Sequence, residues 1–198
     1  VSLGTRYPSI EVMVAKGLQG VLGGDYDYTR LSARAYHRVP MGTFGFMRYW
    51  VHAGQVFGEP LAYPLLILHA GNETFYFDEL AFNTMNYFEF VSDKYASLYV
   101  DHHFDGLFLN RIPLFRRLKW REVVGGKAVV GSLTRKHLGE MELLPFTFDL
   151  SGGPFAEVSL GVENILKRLR VDMVRRLTYM DHANTKPWAF RVRMNVTF

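Results

Sequence analysis

The chain has 198 residues, with 23 Lys and Arg against 19 Asp and Glu and a formal net charge of +4. Cysteine is absent, which excludes disulfide frameworks, thiolate metal sites and cysteine nucleophiles. Hydrophobic residues make up 48 %, yet mean hydropathy is −0.02 and no long apolar stretch occurs. That excludes a transmembrane helix, but not a barrel whose strands alternate lipid-facing and lumen-facing residues.

Aromatic residues reach 15 %, including 16 Phe and 11 Tyr, more than a soluble core usually needs and suited to interfacial girdles. No basic run stands out as a nucleic-acid arm, so no nucleic-acid partner is expected. The chain opens on Val1 without a charged-then-apolar signal segment, and is expected to be a piece of a longer protein.

Period two dominates the pattern. Residues 8–16 alternate loosely, and the stretch from Gly20 to Gly24 reads as a hairpin turn with no phosphate-loop spacing. Residues 28–39 place Leu31, Ala33, Ala35 and Val39 opposite Arg30, Ser32, Arg34, Tyr36 and Arg38. After a tight turn at Val39-Pro40-Met41-Gly42, residues 44–57 place Met47, Tyr49, Val51 and Ala53 opposite Arg48, Trp50, His52 and Gly54.

Residues 58–93 form a long connection. It is too long and too aromatic, with Phe75, Phe77, Phe82, Phe88 and Phe90, to lie free in water, and is expected to fold back and partly plug a lumen. Residues 94–104 alternate less cleanly and contain Asp101-His102-His103, the short signature of metal-dependent phosphoesterases. In a strand His102 points opposite to Asp101 and His103, so the three cannot converge on one metal. Asp101 and His103 are instead expected to line a polar face.

Residues 105–119 mix Leu107, Leu109, Ile112, Leu114 and Leu118 with Arg111, Arg116 and Arg117. They suit a short basic amphipathic helix against a membrane interface, with a loop of some helical content as the alternative. Residues 120–134 are rich in β-formers, but their faces cannot be assigned. A second long connection follows at residues 135–153.

Residues 155–164 place Ala156, Val158, Leu160 and Val162 opposite Glu157, Ser159, Gly161 and Glu163, and a tight turn follows at residues 164–168. Residues 169–180 place Val171, Met173, Leu177 and Tyr179 opposite Arg170, Asp172, Arg176 and Thr178. Arg175 is the anomaly, falling on the apolar face near the middle of that stretch. Glu157 and Glu163 can pair across strands with the guanidinium groups beside them.

The last segment, residues 188–198, alternates strictly. Trp188, Phe190, Val192, Met194, Val196 and Phe198 oppose Ala189, Arg191, Arg193, Asn195 and Thr197. An extended edge strand with alternate apolar side chains can be captured by strand addition. Phe190, Val192, Met194, Val196 and Phe198 accordingly resemble the C-terminal signal read by outer-membrane assembly machinery.

Longer motifs carry a family resemblance. They are the run from Gly71-Asn72-Glu73-Thr74-Phe75 through Phe82-Asn83-Thr84-Met85-Asn86-Tyr87-Phe88-Glu89-Phe90, the run His102-His103-Phe104-Asp105-Gly106, Lys119-Trp120-Arg121-Glu122 and Gly161-Val162-Glu163-Asn164-Ile165. With these the chain resembles the C-terminal part of a domain-of-unknown-function family of outer-membrane proteins. Members usually carry an N-terminal carboxypeptidase-regulatory-like domain without peptidase activity. The resemblance implies a barrel fold and membrane location, and brings no catalytic residues. A weaker architectural similarity is to insertase and translocator barrels of the BamA and TamA type. The long loop stands where theirs folds into the lumen, but lacks their Arg-Gly-aromatic tip.

The expectation is therefore an all-β, antiparallel transmembrane barrel of about eight strands, the C-terminal half of a larger one, spanning residues 1–198. The lumen lining would comprise Arg30, Arg34, Arg38, Arg48, His52, Asp101, His103, Glu157, Glu163, Arg170, Asp172, Arg176, Arg191 and Arg193. No enzyme activity, metal or cofactor is expected. The expected partners are outer-membrane lipid, the barrel-assembly machinery, and the protein's own upstream barrel half and periplasmic domain. The rival reading is a soluble, lipocalin-like ligand-binding barrel, with its apolar face turned inward.

Overall fold

A computed structural model describes residues 7–58, 60–138, 143–182 and 184–194. Among the described residues there are ten strands: β1 (Ser9–Gly17), β2 (Tyr28–Pro40), β3 (Phe46–Gly58), β4 (Ile67–Leu68), β5 (Val91–Ser92), β6 (Lys94–His103), β7 (Arg121–Ser132), β8 (Phe155–Ile165), β9 (Leu169–Arg176) and β10 (Trp188–Met194). Eight of them form one antiparallel sheet in the order β1-β2-β3-β6-β7-β8-β9-β10. Strands β4 and β5 pair separately within the long connection between β3 and β6. Each neighbour in the large sheet follows its predecessor in the chain once that connection is set aside, so the topology is a simple meander.

The register puts every apolar alternation on one face. Val12 pairs with Ala33, Ala33 with Ala53, Ala53 with Ala96, Ala96 with Val130, and farther along Leu160 with Met173 and Met173 with Phe190. This face is open. Val12 is 71 % exposed, Leu160 54 % and Phe190 68 %. From β3 to β10 the opposite face is covered, and its most deeply buried side chains include Arg170, Arg176 and Glu157, whereas Glu11 and Arg34 on β1 and β2 are exposed. Burial is thus inverted relative to a soluble sheet, where the apolar face is the covered one.

The two ends of the sheet differ. Residues 41–45, 104–120 and 166–168 connect strands at one, the hairpin end, while residues 18–27, 59–93, 133–154 and 177–187 do so at the other, the loop end. The turn between β8 and β9 places Asn164, Leu166 and Lys167 at positive φ (64°, 50° and 66°) beside a register shift between Val162 and Ile165. The segment 104–120 contains a 3-10 turn (Leu109–Arg111) and the short helix α1 (Pro113–Leu118), with Pro113 opening the helix and Lys119 closing it in the left-handed region. In the second long connection, Arg135–Leu138 form the helix α2.

Residues 120–134, unassignable by pattern, turn Val123, Gly125, Lys127 and Val129 to the covered face and Val124, Gly126, Ala128 and Val130 to the open one. Glycine and valine occupy both faces, which is why no alternation could be read.

Strand β9 is shorter than its pattern, ending at Arg176, and Tyr179 beyond it adopts a φ of 53°. Arg175 therefore sits next to the strand's end rather than at its middle. Its guanidinium lies 4.7 Å from the Trp188 ring across the strand pair, on the open face. An exposed cation–π contact contributes about 0.5–1 kcal/mol. Replacing Arg175 with Leu should therefore change the stability of refolded protein by less than about 1 kcal/mol in a denaturant titration. A larger loss would mean that Arg175 serves an acid on the covered face.

Candidate functional site

The covered face of β6 to β10 carries many charges, and the long connection, residues 60–93, packs on it. Burying an unpaired ion costs several kcal/mol, so each must find a partner. The partners come from two sources, neighbouring strands and the loop.

Toward the hairpin end the strands pair among themselves. Arg170 grips Asp172 in a two-pronged contact, 2.7 Å on each side, and reaches Asp101 at 3.4 Å. Arg48 meets Asp101 at 3.2 Å and His103 at 3.0 Å, and His103 in turn contacts the Glu163 carboxylate at 3.1 Å. Room for these carboxylates is made by glycine. A Cβ on Gly161 would collide with Asp172, and one on Gly125 with Ser159 and Asp101. The loop adds one acid here, Glu79, which pairs with Arg48 at 2.6 Å and with Arg193.

Toward the loop end the sheet holds the connection directly. Glu157 accepts the backbone N–H groups of Asn83 and Thr84, both at 2.8 Å, and the Thr84 hydroxyl at 2.7 Å. Lys127 donates to the carbonyls of Asp78 and Ala81, and Arg191 donates to those of Asn72 and Asn83. Arg176 binds both oxygens of Glu89, at 2.5 and 3.0 Å, and His182 contacts the same carboxylate at 3.0 Å. Burial alone would push the Glu89 carboxyl up, but the Arg176 guanidinium and the Asn86 N–H overcome it and hold it below the ordinary carboxylate range. Removing one partner of such a buried pair costs about 3–5 kcal/mol.

The loop's own fold makes these contacts possible. The Asn72 side chain accepts from the Thr74 N–H and hydroxyl and donates to Asn83 and to the Tyr76 carbonyl. Asn83 donates back to the Asp78 carbonyl at 2.9 Å. Two asparagines thereby replace regular secondary structure as the source of partners for a buried turn. Phe82, Phe90 and Phe155 pack beneath it, with ring centroids 5.2 and 5.7 Å apart. The loop also reaches the edge of β10, where Val192 donates to the Phe75 carbonyl and Phe77 donates to the Val192 carbonyl. Beside Arg191 a cavity of about 580 Å³ remains, lined among others by Asn72, Thr84, Phe148 and Lys186.

All fourteen residues expected to line the polar face lie on it, but they do not form one site. Arg48, Asp101, His103, Glu163, Arg170 and Asp172 make the hairpin-end network, with Arg193 joined through Glu79. Glu157, Arg176 and Arg191 hold the loop. Arg30 donates to the carbonyls of Leu65 and Leu66 at the loop's start. Arg34, Arg38 and His52 stand apart: Arg34 is half-exposed, 3.9 Å from Glu11, Arg38 lies over Phe46 and His52 beside Tyr99. His102 faces the other way and contacts the Phe44 carbonyl. Phe190, Val192 and Met194 lie on the open face, and Val196 and Phe198 lie outside the described residues.

Sequence reasoning missed Lys127, Glu79, Glu89 and Asn83. The first lies in the strand without alternation, and the others in a loop whose pairing no period encodes. Chemically, the carboxylates of both networks are committed to donors. Among the described residues, no group of three His, Asp or Glu could hold a metal ion.

The C-terminal domain of a family of unknown function (DUF5686) matches residues 1–141, which include β1 to β7 and the whole loop. This chain belongs to that family. No curated protein matches it in sequence. In this DUF5686 member Glu89 of the loop pairs with Arg176 on the charged face, while the Asn72 and Asn83 side chains order the turn whose backbone groups meet Glu157 and Arg191.

One loop residue is expected to make docking sensitive to acid. His69, buried against the Ser92 hydroxyl at 2.9 Å, has its pKa lowered to about 4 by burial. Between pH 6.5 and 4 a released loop binds a proton that the docked loop refuses, so docking is complete above that window and weakens as pH falls through it. The loss approaches about 3 kcal/mol by pH 4. The thermal midpoint of refolded protein should fall across this range, and His69→Gln should flatten the fall. An unchanged slope in the variant would show that His69 is not the group responsible.

Proposed function

We propose that the chain is the C-terminal part of an outer-membrane β-barrel whose lumen is occupied by its own β3–β6 loop. The observation that carries this reading is the inverted burial of the sheet from β3 to β10: an exposed apolar face and an ion-paired, covered one. In water an apolar face of this extent would cost about 25 cal/mol for each Å² left uncovered. In lipid it is the required surface, and a β-sheet is one of the two structures that satisfy their backbone hydrogen bonds there. A soluble lipocalin-like barrel needs the reverse arrangement, with Val12, Leu98 and Leu160 inward and Arg170 outward.

The role is non-enzymatic: structural, or in transport or envelope biogenesis. The outer edge of β1 suits completion by upstream strands of the same protein, preceded by a carboxypeptidase-regulatory-like domain in the periplasm, while the edge of β10 is already met in part by the loop at Val192. Assembly would use the barrel-assembly machinery, with the β10 side chains as part of the signal. The many strand-to-loop contacts support a closed resting state in which transport requires the loop to move.

Cells expressing the full-length protein should carry it in the outer-membrane fraction, with gel migration that changes on heating. Recovery from the soluble fraction without detergent would reject the reading.

A further inference from the structure

We infer that the hairpin end carries a platform for anionic phospholipid headgroups, built from residues 104–120 and the turn at 166–168. The inference rests on the membrane-spanning reading and adds a lipid class to it. Six exposed cations gather here: Arg111, Arg116, Arg117, Lys119, Lys167 and Arg168. They outnumber the whole chain's net charge of +4, so the remainder of the molecule is net acidic.

The nearby acids are already committed. Asp105 pairs with Arg121 at 3.0 Å, Glu163 contacts His103, and Glu122 accepts the Phe108 N–H at 2.7 Å. None of the six cations has an ion-pair partner among the described residues. Such a concentration of one sign destabilises a surface unless counter-charge covers it.

Apolar side chains are interleaved with the cations. Phe108 is 54 % exposed and Leu114 61 %, with Ile112, Leu118 and Leu166 also exposed. A water-facing loop gains nothing from these, whereas the headgroup–acyl boundary accommodates both kinds of side chain. Position agrees. The segment joins β6 to β7 directly beyond the open apolar face, where a spanning strand leaves the hydrocarbon.

The platform is also rigid. The Asn164 side chain donates to the Lys119 carbonyl at 2.7 Å, tying the two parts together, and Phe115 stacks on Trp120 at 5.3 Å. A preformed array loses little entropy on binding, unlike a basic tail. Phospholipid is the source assigned because the hairpin end carries the shorter connections, which in outer-membrane barrels lie on the periplasmic side.

The test uses the full-length protein in nanodiscs containing phosphatidylcholine and phosphatidylglycerol, re-isolated with its retained lipid and analysed by mass spectrometry. Each cation near an anionic surface contributes about fivefold in binding. Phosphatidylglycerol should be enriched at least fivefold over its input at low salt and not in 1 M salt. The combined variant R111Q/R116Q/R117Q/K119Q should lose the enrichment while still inserting into phosphatidylcholine alone. Equal enrichment in wild type and variant would overturn the platform and leave the membrane reading standing. In discs that also contain lipid A, stronger retention of lipid A than of phosphatidylglycerol would overturn the assignment to phospholipid. Failure of the wild type to insert into any bilayer would overturn both readings.

Discussion

Four neighbouring strands, β6 to β9, turn Asp101, Lys127, Glu157, Arg170, Asp172 and Arg176 toward one enclosed face, and all six are buried. Ions in that position are tolerated only when every one is paired and hydrogen-bonded. Much of the architecture follows from meeting that demand. Glycines in β7 and β8 leave room for the carboxylates, and an arginine in β9 bridges two of them. The loop between β3 and β6 supplies the partners the strands lack.

The same constraint explains why the middle of the loop, residues 71–90, is ordered without helix or strand. Its backbone carbonyls at Asp78, Ala81 and Asn83 serve as acceptors for Lys127 and Arg191, and its N–H groups at Asn83 and Thr84 serve Glu157. A helix or strand would have used those groups internally. An irregular turn, stabilised by Asn72 and Asn83, leaves them free to neutralise the sheet. Loop and sheet are thus complementary halves of one polar core, and displacing the loop exposes several charges together. On the proposed reading such a connection would close the lumen cooperatively, held in part by the buried Arg176–Glu89 pair.

The sheet was legible in the sequence wherever the two faces meet different environments. In β2, β3, β8, β9 and β10 the alternation of Arg or Glu with Val, Leu or Phe identified both strand and face. It failed in β7, where Gly125 and Gly126 blur the pattern and Lys127 is the lone inward charge. It overran in β9, because Leu177 and Tyr179 continue the period after the ladder has ended. The polar face could be predicted residue by residue, but not its division into two networks, since that depends on which loop residues arrive. Composition suggested that the loop folds inward, yet Glu79 and Glu89 carry no periodic mark. Their roles come from contacts across the fold, which a single strand's pattern cannot encode.

The central claim is that the apolar face contacts lipid and the charged face does not. The absence of cysteine makes single-cysteine labelling clean. Nitroxides placed one at a time along β6, from Lys94 to His103, in protein reconstituted into bilayers would report collisions with oxygen and with a polar nickel reagent. The account predicts a two-residue period, with oxygen collisions dominant at Ala96, Leu98 and Val100. At Ser97, Tyr99 and Asp101 collisions of both kinds should be low, because the loop covers them. Strong nickel collisions at Ala96, Leu98 and Val100 would place that face in water and contradict the account.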